Sequence, residues 1–190
     1  IEISRFDSTT VSLVKSATND LKDKKVKGII LDLRNNPGGY LDAAIDVSSE
    51  FLKKDAVIVT EKRTVGATKE HVYKADGKGD FMDNSIPVVI LVNGGSASAS
   101  EIVSGALQDN DRAVLVGEKT FGKGSVQTVE SLGQGTTLHI TIAHWYTPKG
   151  KNISKEGLTP NITTTLTEAD FNAGKDPQLS KALEYINSKI

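Results

Sequence analysis

The sequence predicts an α/β fold built around a parallel sheet, and three observations carry that reading. Apolar runs at residues 28–33, 86–92 and 114–116 are continuous rather than alternating, as in strands covered on both faces. The first two end in glycine turns, Asn35-Asn36-Pro37-Gly38-Gly39 and Gly94-Gly95-Ser96. Each turn leads into apolar residues at helical spacing. Repetition of strand, turn and helix favours parallel strands joined by crossovers.

The elements follow in order. Ile1, Ile3 and Phe6 among polar residues predict a short strand, after which Asp7 or Ser8 can cap a helix carrying Val11, Val14, Ala17 and Leu21. The strand at 28–33 leads through its turn to a helix over 40–52, with Leu41, Ala44, Ile45, Ser48 and Leu52 along one side. Residues 57–62 and 70–73 read as a polar, hairpin-like excursion. After the strand at 86–92, Ala99, Ile102, Val103 and Ala106 form one helical face, and 114–116 gives the third buried strand. Beyond Gln127 the texture changes. Leu138, Ile140 and Ile142 alternate with Thr137, His139 and Thr141, and Pro148-Lys149-Gly150 makes a turn, which predicts an antiparallel strand section. Leu179, Ala182, Leu183 and Ile186 place a terminal helix over 177–190. No internal repeat or linker divides the chain.

With 190 residues, one domain can bury its own core. The charge balance, 23 Lys+Arg against 24 Asp+Glu for a net −1, gives no surplus to attract nucleic acid or an anionic membrane. The absence of cysteine excludes a disulfide scaffold, a thiol nucleophile and cysteine-ligated zinc. Every apolar run is far shorter than the roughly 20 residues a membrane helix needs, so the fragment is expected to be soluble. It opens at Ile1, inside a strand and with no signal-like segment ahead, and reads as a piece of a longer protein.

The glycine turns lie where open α/β sheets place ligands. At Pro37-Gly38-Gly39 the missing side chains let backbone N–H groups approach a ligand, although a plain tight turn has the same composition. Ser98, with Glu101 three residues on, fits a capping box, and a helix cap alone accounts for that pairing. Gly117-Glu118-Lys119-Thr120-Phe121-Gly122-Lys123 superficially matches a phosphate loop, but the next position is Gly124 where a metal-binding Ser or Thr is required, and no long helix follows. The histidines are His71, His139 and His144, none beside a glycine turn, so a serine–histidine triad has little support. If a serine here is a nucleophile, its base is more naturally a lysine, which must be neutral and therefore desolvated.

Taken together and in order, five segments resemble the catalytic core of the carboxyl-terminal processing, or tail-specific, serine proteases. They are Leu31-Asp32-Leu33-Arg34-Asn35-Asn36-Pro37-Gly38-Gly39, Asn93-Gly94-Gly95-Ser96-Ala97-Ser98-Ala99-Ser100-Glu101-Ile102, the run from Gly117 to Gln127, Tyr146-Thr147-Pro148-Lys149-Gly150, and Gly157-Leu158-Thr159-Pro160. The resemblance implies Ser98 as nucleophile, Lys123 as general base and Gln127 as the residue that positions the lysine. It also implies an oxyanion hole from the N–H of Ala99 and that of Gly38 or Gly39, between which the sequence does not choose. A fully extended strand would part residues 123 and 127 by roughly 13 Å, so a single helical turn is expected there.

The same resemblance implies a crotonase-like fold, no metal or organic cofactor, an extracytoplasmic location at the cell surface or in the periplasm, and substrates that are proteins or peptides with exposed C-termini. Residues 1–190 would then be the catalytic core alone. The N-terminal segments and the PDZ domain that family members carry would belong to the rest of a full-length protein, and a PDZ domain takes up peptide tails by strand addition. Two other functions fit parts of the pattern: a non-catalytic peptide-binding core, and an acyl-CoA enzyme, which would share the glycine turn but not require Lys123 and Gln127.

Overall fold

A computed structural model describes residues 1–64, 70–154 and 156–190. Helix α1 (Thr10–Asp23) precedes strand β1 (Ile29–Asp32) and helix α2 (Leu41–Ser49). Strands β2 (Val57–Arg63) and β3 (Glu70–Lys74) come next, then β4 (Val88–Val92), α3 (Ala99–Asp109) and β5 (Ala113–Gly117). The remainder comprises β6 (Ser125–Gly133), β7 (Thr136–Tyr146), β8 (Ile162–Thr163), α4 (Glu168–Asn172) and α5 (Pro177–Asn187).

Two four-stranded sheets organise these elements, a parallel one in the order β1-β4-β5-β8 and an antiparallel one in the order β3-β2-β7-β6. The continuous apolar runs are β1, β4 and β5 of the parallel sheet, and every residue of the inner strand β4 is buried. Val88, Ile90 and Val92 face the main core with Ile29, Leu31, Leu115, Val103 and Leu107, while Val89 and Leu91 face Val116, Ala182 and Ile186 of α5. Burial on both faces explains why no polar alternation interrupts these strands. The N-terminal residues add two isolated parallel bridges, Glu2 to Asp32 and Phe6 to Gly39, where the sequence predicts a short strand.

The second half departs from expectation in two places. Residues 125–133 are strand, so no helical turn joins Lys123 to Gln127; instead β6 pairs with β7 from Ser125 onward, with a register shift between Val126 and Gln127. Its partner strand outcompetes an isolated turn, because pairing satisfies the β6 backbone along its length. The alternating Leu138 and Ile140 are also exposed, at 46% and 38%, because the β6–β7 hairpin projects past the core. The turn that joins this strand pair contains Gly133-Gln134-Gly135, and the one at Pro148-Lys149-Gly150 instead returns the chain to a bridge between Tyr146 and Asn152.

Candidate active site

Three loops meet at the C-terminal ends of β1, β4 and β5, and side-chain amides and hydroxyls bind them together. Asn93 Oδ1 accepts from Asn35 N–H at 2.9 Å, and Asn93 Nδ2 donates to Asn35 Oδ1 at 2.9 Å. The buried Ser96 hydroxyl donates to the Leu33 carbonyl at 2.8 Å. The Asn36 carbonyl accepts from Ala97 N–H at 2.9 Å and from the buried Ser100 hydroxyl at 3.0 Å. Glycine turns alone would be floppy, and these contacts fix their mutual position. Sequence reasoning missed Asn36, Ser96, Ser100 and Thr120, since a buried Asn or Ser carries no periodic signal.

In the first turn, the Asn36 side chain is fully buried, donating to the Ile3 carbonyl at 2.5 Å and accepting the Gly38 N–H at 2.9 Å. Gly38 has φ +99°, and a Cβ built there would lie 2.7 Å from Ser98 Cβ and 2.9 Å from Ala99 N, so the turn lies directly against the start of α3. Gly39, with φ +147°, is exposed, and its N–H has no acceptor among the described residues. Phe6 flanks the turn, donating its N–H to Gly38 O at 3.0 Å and accepting Tyr40 N–H at 2.9 Å.

Ser98 sits at the N-cap of α3 with φ 54° and ψ −113°, a conformation L-residues rarely adopt. The Ser98–Glu101 pair keeps the capping-box arrangement, but only its carboxylate half closes to a hydrogen bond. Glu101 Oε2 accepts Ser98 N–H at 2.9 Å, while Ser98 makes no side-chain cap hydrogen bond. The adjoining Ala99 N–H, at the first helical position, is one of the amides a helix leaves without an internal acceptor.

The third loop, residues 118–124, brings Lys123 to the same place through its backbone, whose N–H donates to Glu101 Oε2 at 2.9 Å. Phe121 N–H reaches the Ser96 carbonyl at 3.0 Å. The structure thus assembles Ser98, Ala99, Gly38, Gly39 and the Lys123 backbone. It does not close a hydrogen bond between the Ser98 hydroxyl and the Lys123 amine among the described residues. Lys123 and Gln127 are exposed, in contrast to the desolvated pocket a lysine base requires, because the loop and the edge strand β6 project beyond the core. Gln127 Nε2 donates instead to Thr141 Oγ1 at 3.4 Å on β7. His144 lies apart from these groups in hydrogen bonding, its Nδ1 2.8 Å from Ser154 Oγ.

Beside the first turn, Arg34 Nε and Nη2 bind Asp32, the latter at 2.6 Å, while Nη1 reaches Asp176 Oδ2 at 2.8 Å and Gln178 Oε1 at 3.1 Å. The Asp32 hydrogen bond chiefly holds the guanidinium above its ordinary value, outweighing desolvation. Burial pushes the Asp176 carboxyl up, but the Leu179 N–H and Arg34 together leave it below its ordinary value. Arg34 therefore fastens the start of α5 to β1.

Residues 1–164, which carry all three loops, match Peptidase family S41. A carboxy-terminal-processing protease of Bartonella bacilliformis is 42% identical over 187 residues, covering 96% of this chain and 42% of that protein. A carboxyl-terminal-processing protease of Synechocystis sp. is 38% identical over 193 residues, covering 100% of this chain and 44% of that protein. The chain thus spans less than half the length of these curated relatives. The solved photosystem II D1 C-terminal processing protease superposes with a TM-score of 0.77 at 36% identity, over 86% of this chain and 41% of that one. A putative peptidase from Parabacteroides merdae shares the fold at 16% identity, with a TM-score of 0.81 over 97% of this chain and 59% of that one. The matched range includes the glycine turn, the Ser98 elbow and the Lys123 loop, and the chain belongs to peptidase family S41.

Proposed function

We propose that this chain is the catalytic core of a serine endopeptidase that cleaves near protein C-termini, with Ser98 as nucleophile and Lys123 as general base. In this reading the neutral Lys123 amine takes the Ser98 hydroxyl proton as Oγ attacks the scissile carbonyl. The same proton passes to the leaving amine as the C–N bond breaks, and water then hydrolyses the acyl-enzyme. The observation that carries it is the strained Ser98 elbow packed against Gly38, with the Lys123 loop tied to the same helix start. The exposed Lys123 would be desolvated by the bound peptide, and the exposed Tyr40 and Phe121, at 63% and 65%, supply apolar surface next to Gly39 and near Lys123 in the chain. Gln127 is assigned the positioning of the lysine, which requires its side chain to exchange Thr141 for the amine.

For the oxyanion we assign the N–H groups of Ala99 and Gly39. Gly38 N–H is already given to Asn36 Oδ1, whereas the Gly39 amide is unpaired among the described residues. The repeated strand, turn and helix, with an anion site at a glycine turn, also supports kinship with crotonase-like folds. No helix among the described residues is long and apolar enough to cross a membrane, and an extracytoplasmic location is inferred by family likeness. Selection of tails is assigned to a PDZ domain in the full-length protein. Equal rates for the 190-residue chain and the longer protein, with equal sensitivity to amidation of one substrate's C-terminus, would sink that assignment.

The chemistry is tested with a serine-reactive fluorophosphonate and a peptide substrate. Ser98→Ala should abolish labelling, and Lys123→Ala should reduce labelling and hydrolysis by at least about 1,000-fold, the two losses not adding because they act as one unit. Lys123→Arg keeps the charge but cannot deprotonate, so it should be as inactive. An active Lys123→Arg protein would move the base elsewhere, and unlabelled wild type would favour the peptide-binding reading.

A further inference from the structure

Glu101 is fully buried, and the capping-box pattern explains only one of its contacts. Its Oε2 accepts the N–H groups of Ser98 and Lys123, each at 2.9 Å, and its Oε1 accepts Gly122 N–H at 2.7 Å and the Thr120 hydroxyl at 2.6 Å. An ionised carboxylate has about four lone-pair sites and no donor, so the four donors fill it. A proton on this acid would point at one of them. Thr120 is itself buried and accepts Leu158 N–H at 2.7 Å, which ties the cluster to the body of the molecule.

Two consequences follow. One side chain spans both the elbow that holds Ser98 and the loop that holds Lys123, so their separation is set by a single rigid group. The second is that every lone pair of the carboxylate is taken by a neutral backbone or hydroxyl donor, and no ion pair joins Glu101 to Lys123 among the described residues.

We propose that Glu101 is a positioning residue for hydrolysis: its carboxylate cross-links the Ser98 elbow to the Lys123 loop, and its lone pairs are filled by neutral donors and not by the Lys123 amine. The inference rests on the assignment of Ser98 and Lys123 as nucleophile and base, and its test can fail independently of theirs.

The test uses the 190-residue protein with Glu101→Gln, which turns an NH2 group against donors that need an acceptor, and Thr120→Val, which removes one donor and leaves the carboxylate. Fluorophosphonate acylation should slow by about 100-fold in Glu101→Gln and about tenfold in Thr120→Val, as expected for misplacement of reacting groups. The loss should fall on the acylation rate constant, with the probe's apparent binding constant unchanged, a split that general unfolding would not give. Amide hydrogen exchange at Ser98, Gly122 and Lys123 should quicken by at least about tenfold while the β4 amides keep their protection. Folded Glu101→Gln that acylates within about threefold of wild type, or wild-type exchange at those three amides, would overturn the proposal. If Glu101→Gln does not fold, Thr120→Val decides by the same two measurements. Labelling that survives in Ser98→Ala would refute the Ser98 assignment instead, and the exchange result would still judge the cross-link.

Discussion

A serine held at φ 54° and ψ −113° stores backbone strain of about 1–3 kcal/mol, and its surroundings must over-determine it. Glu101 and the packed Gly38 supply that constraint, which puts the hydroxyl at the helix start without using it as a cap. Ser98→Gly should therefore raise unfolding stability by about 1 kcal/mol in urea denaturation, because glycine tolerates this conformation. Ser98→Ala should change stability by less than about 0.5 kcal/mol, since the hydroxyl makes no cap hydrogen bond to lose. A full kcal/mol lost in Ser98→Ala would restore the helix-cap reading. At this scale the sequence was informative about residue types and poor about contacts: Ser98 and Glu101 were legible as a pair, whereas the reach of Glu101 to Gly122 and Lys123 depends on how the β5 loop folds back.

Between elements, the two glycines of the first turn meet different neighbours, and this separates effects that the sequence could only treat together. A Cβ at Gly38 would press on Ala97 O and Ser98 Cβ, both at 2.7 Å, whereas one at Gly39 would land inside the Phe6 carbonyl. Gly38→Ala should thus displace the Ser98 elbow and slow acylation by at least about tenfold. Gly39→Ala should also slow acylation, because the shift its Cβ forces moves the N–H assigned to the oxyanion, and it should in addition loosen the Phe6 segment at a cost of about 2 kcal/mol, given its positive φ and backbone collision. Stopped-flow labelling and urea midpoints separate the two effects, and a folded Gly39→Ala protein that acylates like wild type would move the oxyanion donor away from Gly39. The parallel strands were legible because burial on both faces leaves a continuous apolar run, and β4 is the clearest case. The exposed Leu138 and Ile140 were not, because alternation identifies the faces of a strand and says nothing of what covers them. The β6 pairing that replaces a turn after Lys123 was hidden for a related reason: it is set by β7, distant in sequence.

Across the whole molecule, acid stability is set by opposed groups. The carboxyls of Asp7, Asp83 and Asp170 are held below their ordinary values by hydrogen bonds from Thr9, Ser85 and Thr167, and Asp176 by Leu179 N–H and Arg34 against desolvation. Such groups bind protons more readily unfolded, so their contribution is present above their unfolded values and disappears on acidification through their folded ones. Glu50, just past α2, behaves oppositely. Burial pushes its carboxyl above the ordinary 4.5, and Lys15, 3.9 Å away and more than half exposed, only partly offsets this. The folded state then holds the Glu50 proton longer, and between 4.5 and the raised folded value stability falls as pH rises. Above that window the native protein carries a desolvated charge, and Glu50→Gln removes it at nearly constant side-chain size. Glu50→Gln should accordingly be more stable than wild type at about pH 7.5, and the difference should shrink towards zero by about pH 4, below both values, where glutamate is mostly protonated in both states. Urea midpoints at the two pH values measure this. A variant less stable than wild type at about pH 7.5, with the deficit vanishing on acidification, would mean that attraction to Lys15 outweighs the burial of the charge.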